Sequence, residues 1–205
     1  MKKVKKAIIR LTLNVALVLG AASLAFANSD VPSIKIMKTG LDKLSLVMED
    51  LSLGTEATVS IEDTKGFVLI SEEVKKTNSF AKVFNLKNLP AGDYKMVINT
   101  QTRKTIQPIT LTEKDITVDV NKRKVIFHPT IRMNESFLDV TWLGNRISDV
   151  KVSISNEQGV VVFGDNIKNV FKIEKRYNVA QLERGVYTVR VKTPHDSYYE
   201  ELVVR

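Results

Sequence analysis

The sequence predicts an all-β protein whose antiparallel strands pack as sandwiches. Apolar and polar residues alternate with period two in many short segments, which is typical of strands with one buried face. Turns that contain glycine separate these segments. No stretch after the N-terminus shows a helical period of useful length. With 43% hydrophobic and 26% charged residues, the composition is that of a globular chain.

The N-terminal segment, residues 1–27, has the pattern of a secretory signal peptide. It starts with a basic run at residues 2–6, continues with an apolar stretch, and ends with small residues at Ala25 and Ala27, the two positions that a signal peptidase reads. We predict cleavage between Ala27 and Asn28, so that the chain contacts the membrane only in transit. A retained anchor is the alternative, because residues 11–29 are uncharged and nearly long enough to span a bilayer.

The net charge of +8 is concentrated in that segment. Residues 1–27 hold five cations and no acid, so the remaining chain carries only +3 and one short basic run, Lys122-Arg123-Lys124. Nucleic-acid binders usually show a strongly basic face, and affinity grows with the number of phosphates neutralised. We therefore expect no nucleic-acid partner. The absence of cysteine excludes disulfides, thiolate metal sites and a lipid-modified cysteine.

The chain contains an internal repeat. An offset of 93 residues aligns residues 57–111 with 150–204, and 12 of the 55 aligned positions are identical. Residues 44–48 match 138–142 at an offset of 94. The identical pairs include Val59/Val152, Ser60/Ser153, Ile61/Ile154, Gly66/Gly159, Asn85/Asn178 and Thr100/Thr193. A period this long corresponds to a whole small domain rather than to a solenoid repeat.

Each copy of the repeat predicts a series of short strands. In the first copy they are an opening strand with Ile34 and Ile36, then 44–48, 58–62, 66–70, 80–85, 94–99 and 105–112. In the second copy they are 138–142, 150–154, 160–163, 186–191 and 198–204, with a hairpin turn at 156–159 whose Gly159 supplies a positive φ. About seven short strands per copy, separated by regular turns, favour an immunoglobulin-like β-sandwich.

A shared motif, Leu-x-x-Gly-x-Tyr, supports the sandwich. Its residues are Leu89, Gly92 and Tyr94 in the first copy and Leu182, Gly185 and Tyr187 in the second. The spacing is typical of a tyrosine corner, in which the phenol bonds to nearby backbone. Antibody domains have a cysteine two residues after that tyrosine, whereas this chain has Met96 and Val189. We expect apolar packing to replace the disulfide.

These spacings predict two domains after the signal peptide. The first covers residues 28–112 and the second covers residues 125–205. A connector at 113–124 alternates from Ile116 to Val120, so it forms a possible edge strand of either domain. The order is therefore a signal peptide followed by two tandem immunoglobulin-like antiparallel β-sandwiches.

Over roughly 70 residues in each copy, the chain resembles a known family, as the pattern from residue 150 onward illustrates. An alternating strand up to Gly159, a polar stretch, Leu182-x-x-Gly-x-Tyr187 and a final strand resemble the C-terminal sorting domains of the type nine secretion system of Bacteroidetes. The pattern is also similar to small secreted immunoglobulin-like domains of unknown function from these bacteria. The resemblance implies a β-sandwich at an extracytoplasmic address (periplasm, cell surface or medium) and a non-catalytic role.

No catalytic, metal or cofactor site is expected from the motifs. The sequence has no Gly-x-Ser-x-Gly elbow, no phosphate-binding loop and no His-Glu-x-x-His pair. Nothing in the sequence marks a nucleophile beside His128 or His195. We therefore expect a protein that is not an enzyme and that has no cofactor.

The best candidate for ligand binding is the last hairpin of the second copy, with His195, Asp196, Tyr198 and Tyr199. Adjacent tyrosines on a strand point to opposite faces, so one ring could be exposed and could stack on a sugar or peptide. The first copy has no aromatic residue at 101–106. We expect a binding or assembly module with a protein or glycan partner at the cell envelope. The alternatives are a sorting signal in the second copy and a carbohydrate-binding module.

Overall fold

The computed structural model describes residues 33–49, 51, 56–75 and 77–204. These residues form fourteen strands and one short 3₁₀ turn, and every strand pair within them is antiparallel. The predicted all-β class is therefore confirmed. The predicted cleavage between Ala27 and Asn28, and the alternative of a membrane anchor, lie outside the described residues. In the described part of the chain, no helix is long and apolar enough to cross a membrane.

The first nine strands form two sheets, which we call the first unit. The strands are β1 (Ser33–Lys38), β2 (Lys43–Glu49), β3 (Ala57–Asp63), β4 (Val68–Val74), β5 (Phe80–Asn85), β6 (Gly92–Thr100), β7 (Arg103–Leu111), β8 (Ile116–Val118) and β9 (Lys124–Phe127). One sheet has the order β1-β2-β5, and the other has the order β4-β3-β6-β7-β8, with β9 also paired to β7. A single hydrophobic cluster contains residues of both sheets, among them Leu46, Ile61 and Met96, so the sheets pack face to face.

The last five strands form one sheet around a second hydrophobic cluster, and we call them the second unit. They are β10 (Thr130–Asn134), β11 (Phe137–Asn156), β12 (Val161–Asn178), β13 (Gly185–Lys192) and β14 (Ser197–Val204). The order is β10-β11-β13-β14, and β12 lies along β11. The cluster includes Leu138, Trp142, Ile154 and Val189. Because residues from both ends of β11 enter the same cluster, this sheet folds over its own core.

The strand register follows the repeat spacing. Ile61 pairs with Met96 in the first unit, as Ile154 pairs with Val189 in the second. A register shift follows Ile61 and Ile154 alike. The hairpin turns after these strands are also alike, since their glycines have positive φ values of 91° at Gly66 and 74° at Gly159. The offset of 93 residues is therefore visible in the hydrogen-bond pattern as well as in the sequence.

The long strands of the second unit differ from the sequence prediction. The alternation predicts separate strands at 138–142 and 150–154 and a polar stretch after 163, but β11 and β12 pair almost continuously from Phe137/Asn178 to Ser155/Val161. Register shifts between Leu143 and Val150 allow the pair to bend. Backbone pairing does not require alternating side chains, so the ladder continues where the hydrophobic pattern is interrupted.

The connector belongs to the first unit by its pairing. Both β8 and β9 pair with β7, so Lys124–Phe127 lie on the first unit's sheet, whereas the sequence predicts that residues from 125 onward belong to the second domain. The Arg123 guanidinium donates to the Gln107 side-chain oxygen at 3.0 Å and to the Ile34 carbonyl at 3.0 Å. These bonds attach the connector to both sheets of the first unit.

Candidate functional site

The turn between β13 and β14 is held by Thr193. The Thr193 hydroxyl accepts from the backbone amides of His195 and Asp196 at 3.3 and 3.2 Å, and it donates to the Asp196 carbonyl at 3.1 Å. Thr100 holds the equivalent turn of the first unit with the same type of bonds to Arg103. The side chains of His195 and Asp196 are exposed. The turn therefore presents both residues on a fixed backbone.

The adjacent tyrosines of β14 face different surroundings. Tyr199 is 60% exposed, and the Arg190 guanidinium lies 5.6 Å from its ring centre. The Tyr198 hydroxyl is buried and has no hydrogen-bond partner among the described residues. Burial, together with the nearby Asp196 carboxylate, raises the pKa of Tyr198 to about 12. Of the two rings, Tyr199 is the one available to a partner, and Arg190 already occupies one of its faces.

Tyr198 contacts the region where the two units meet. Its ring centre lies 4.9 Å from that of His128, which follows β9. The His128 Nδ1 lies 3.2 Å from the Gln101 carbonyl oxygen, and its backbone amide donates to the Thr102 carbonyl at 2.9 Å. Burial lowers the pKa of His128. The ring of Tyr198 therefore packs at the junction with the first unit instead of facing a ligand.

An open groove of about 770 Å³ lies beside the turn. Lys192, Thr193 and Pro194 contribute to its wall, so it is continuous with the hairpin that the sequence analysis selected. We call it the basic groove, and we define it by its four cations. The cations are Arg146, Lys151, Lys168 and Lys192, and the apolar residues Val150 and Ile167 also line it.

The cations of the basic groove are placed without matching acids. Lys151 on β11 and Lys192 on β13 are direct ladder partners, so their side chains leave the same face of the sheet. Within the described ranges, none of the four cations takes part in an ion pair. The carboxylate of Asp149 in the groove wall accepts the Asn169 backbone amide at 3.0 Å. The groove therefore has a local excess of positive charge.

The first unit has a groove of about 730 Å³ at the equivalent position. At the offset of 93, Thr58 replaces Lys151 and Asn99 replaces Lys192. Lys75 is equivalent to Lys168, but its ammonium lies 2.8 Å from the Glu73 carboxylate. The hydrogen bond to Lys75 lowers the pKa of Glu73 and raises that of Lys75. The same position in the scaffold is thus neutralised in one unit and cationic in the other.

The basic groove is not visible in the sequence pattern. Its four cations are spread from residue 146 to 192 and form no run or motif. The available signal was the repeat itself, since Thr58 and Asn99 align with two lysines. A comparison of the two copies position by position would have found this change in charge, but not the proximity of the lysines in space.

The predicted tyrosine corners have the following geometry. The Tyr94 hydroxyl donates to the Pro90 carbonyl at 2.7 Å, and the Tyr187 hydroxyl donates to the Glu183 carbonyl at 2.8 Å. Both rings are buried, and Leu89 and Leu182 pack against the respective clusters. A Cβ on Gly92 or Gly185 would lie 3.8 Å from the following tyrosine ring. These residues form part of the scaffold and lie away from the basic groove.

A metal centre is not formed by the described residues. No group of three or more His, Asp or Glu side chains among them could hold a metal ion. The remaining predicted site residues, His195 and Asp196, lie on the turn next to the basic groove.

The second unit is similar to a known family. Residues 133–205 match the model of a family described as a secretion system C-terminal sorting domain. The resemblance stated from the sequence is therefore confirmed for that segment. Such a match indicates an extracytoplasmic or secreted protein. A comparison with curated protein sequences found no match.

Three solved structures illustrate what this chain is similar to. A biofilm-associated protein BSP domain is 15% identical, with 84% of this chain and 29% of that chain covered and a TM-score of 0.27. A tetra-tandem repeat from the extending region of a large adhesion protein is 12% identical, with 85% and 49% covered and a TM-score of 0.28. The FN1–FN3 domains of chicken CNTN1 are 10% identical, with 84% and 66% covered and a TM-score of 0.28. This chain thus spans less than two thirds of the length of each of these structures.

Proposed function

We propose that this chain is an exported, non-catalytic β-sandwich protein that acts as a binding or assembly module at the cell envelope. The observation that carries the proposal is the basic groove, which holds Arg146, Lys151, Lys168 and Lys192 on rigid strands without ion-pair partners among the described residues. Placing like charges opposite each other on a sheet is destabilising, so the arrangement needs a reason other than folding.

The proposed binding partner is a protein or a glycan in the periplasm, on the cell surface or in the medium. Of these, the carbohydrate alternative receives less support at the predicted hairpin. The Tyr198 ring packs against His128, and Arg190 covers one face of Tyr199. Loops and turns on a rigid scaffold are a common place for binding residues, and the basic groove adjoins such a turn.

The test uses residues 28–205, the chain after the predicted cleavage, and isolated bacterial cell envelopes. The variant Lys151→Thr/Lys192→Asn gives the second unit the residues of the first. In a co-sedimentation assay, we expect the amount of this variant bound to the envelopes to be at least 80% lower than that of the parent chain, because charge complementarity is lost. The control Lys122→Thr/Lys124→Asn removes the same charge from the exposed connector and should bind like the parent chain. Equal binding by both variants would contradict the proposal.

A second candidate function is sorting by the second unit. The observation that favours it is the match of residues 133–205 to a sorting-domain family. Deleting these residues in a bacterium with a type nine secretion system should leave the protein in the periplasm, as measured by cell fractionation. The full chain with Lys151→Thr/Lys192→Asn should still be exported, which separates sorting from groove binding. Unchanged surface or medium levels of the deleted chain would contradict sorting.

A further inference from the structure

The free edge of the second unit's sheet runs along the basic groove. β11 pairs with both β12 and β13 between Lys151 and Asn156, whereas in the described part of the chain β12 pairs only with β11. The outer side of β12 therefore presents backbone N–H and C=O groups that no neighbouring strand uses. Its start is also apolar and exposed, with Val161 at 58% and Val162 at 43%. This edge can accept another extended chain.

The charges of the groove lie in line with that edge. Asn166 on β12, Lys151 on β11 and Lys192 on β13 are consecutive ladder partners, so they form one row across three strands. A strand added beside β12 would extend this row at a spacing of about 4.8 Å. Its side chain opposite Asn166 would share a face with Lys151 and Lys192, and Lys168 lines the same groove at the register shift that follows Ile167. An acidic side chain at that position would meet the groove's unpaired positive charge.

The other face of the same edge is apolar. Ile167 and Phe163 on β12 pack partly buried against the second unit's cluster. Side chains of an added strand alternate between the two faces, so acidic residues on the cationic face would alternate with apolar residues over Ile167. The edge therefore selects a peptide whose acidic and apolar residues alternate.

We propose that the basic groove and the free edge of β12 bind an extended acidic segment of another protein by β-strand addition. This inference rests on the proposed binding function and names the partner's chemistry. Backbone hydrogen bonds along β12 supply affinity that a polysaccharide cannot obtain, and the four cations supply specificity for acidic residues. Strand β4 of a second copy of this chain would be a poorer occupant of the β12 edge than a segment of another protein. The acidic side chains of β4, Glu72 and Glu73, already pair with Lys82 and Lys75.

The test measures binding of fluorescent peptides to residues 28–205 by anisotropy. The probe is a ten-residue peptide that alternates glutamate and valine. A control peptide has the same sequence but carries N-methyl groups on alternate backbone nitrogens, which keeps the charge and prevents a β-ladder. We expect the control peptide to bind at least tenfold more weakly. Lys151→Thr/Lys192→Asn should weaken binding of the unmodified peptide at least tenfold, while Lys122→Thr/Lys124→Asn should not change the Kd of that peptide by more than twofold.

Several outcomes would overturn this inference. The first is that the alternating peptide does not bind, and the second is that the N-methylated peptide binds equally tightly. The third is that alginate, a polyanion without a peptide backbone, binds as tightly as the peptide. Self-association of the chain that is lost in Lys151→Thr/Lys192→Asn would assign the edge to a second copy and overturn it as well. If the double variant loses envelope binding but the peptide does not bind, the proposed function stands and only the peptide partner is wrong. If neither assay responds to the double variant, both proposals fail.

Discussion

The first and second units pair their strands in the same register but differ in two places. In the first unit, β2 and β3 are separate strands in separate sheets, whereas β11 of the second unit contributes to both ends of one folded sheet. The end of that sheet carries Lys151 and Lys192 where the first unit has Thr58 and Asn99. The corner and core positions therefore keep the fold, while the continuous strand pair and its charges distinguish the second unit.

The largest expected effect concerns the bend of β11. A Cβ on Gly144 would overlap the ring of Trp142, which is almost fully buried. Gly144→Ala should therefore reduce the free energy of unfolding of the second unit by about 2 kcal/mol, the usual range for overpacking. The chain contains a single tryptophan, so its fluorescence during urea denaturation reports on this unit.

The control for this prediction lies on β12. A Cβ on Gly164 would have no heavy atom within 4 Å, and the φ of Gly164 is not in the left-handed region. Gly164→Ala should be neutral or slightly stabilising, because alanine reduces the conformational freedom of the unfolded chain. Equal destabilisation by the two substitutions would show that the packing of Trp142 does not require glycine at residue 144.

The next effect should be the same in both units. Tyr94→Phe and Tyr187→Phe each remove one hydroxyl that donates to a backbone carbonyl, at 2.7 and 2.8 Å. Each substitution should reduce the free energy of unfolding by about 1 kcal/mol. Circular dichroism and tryptophan fluorescence during denaturation measure the whole chain and the second unit, respectively. A loss in only one unit would mean that the shared motif does not stabilise both units in the same way.

A smaller effect has opposite signs in the two units. Lys151→Thr/Lys192→Asn removes two like charges from directly opposite positions and should stabilise the second unit by about 0.5 kcal/mol. Thr58→Lys/Asn99→Lys introduces the same pair into the first unit and should destabilise it by a similar amount. Both differences should shrink as salt is added. A destabilised second unit after lysine removal would mean that the lysines serve folding, which would remove the argument for a binding role.

The smallest effect is a pH dependence at the junction of the units. Burial lowers the pKa of His128, while the Gln101 carbonyl and the Asp196 charge oppose this shift and the Lys104 charge adds to it. The unfolded chain therefore takes up a proton near the ordinary pKa of about 6.5, while the folded chain does so only at lower pH. Stability should fall as pH decreases through this window, and His128→Phe should flatten the curve between pH 7 and 5. An unchanged slope in that variant would exclude His128 as the cause.

Part of the candidate site could be predicted from the sequence. The last hairpin was selected from His195, Asp196 and the tyrosine pair, and it borders the basic groove. The groove itself could not be found, because Lys151, Lys168 and Lys192 lie on different strands and become neighbours only through the pairing of β11 with β12 and β13. The burial of Tyr198 against His128 was also beyond reach, since it depends on how the units meet.

Most strand positions of the first unit, the repeat and the shared corner motif follow from the sequence alone. Period-two alternation and glycine turns are local signals, and each is read within a few residues of the chain. Pairing in three dimensions places β9 in the first unit, carries β11 through the register shifts between Leu143 and Val150, and brings four dispersed cations into one groove. These features depend on pairing between distant segments, where backbone hydrogen bonds and packing override the local pattern.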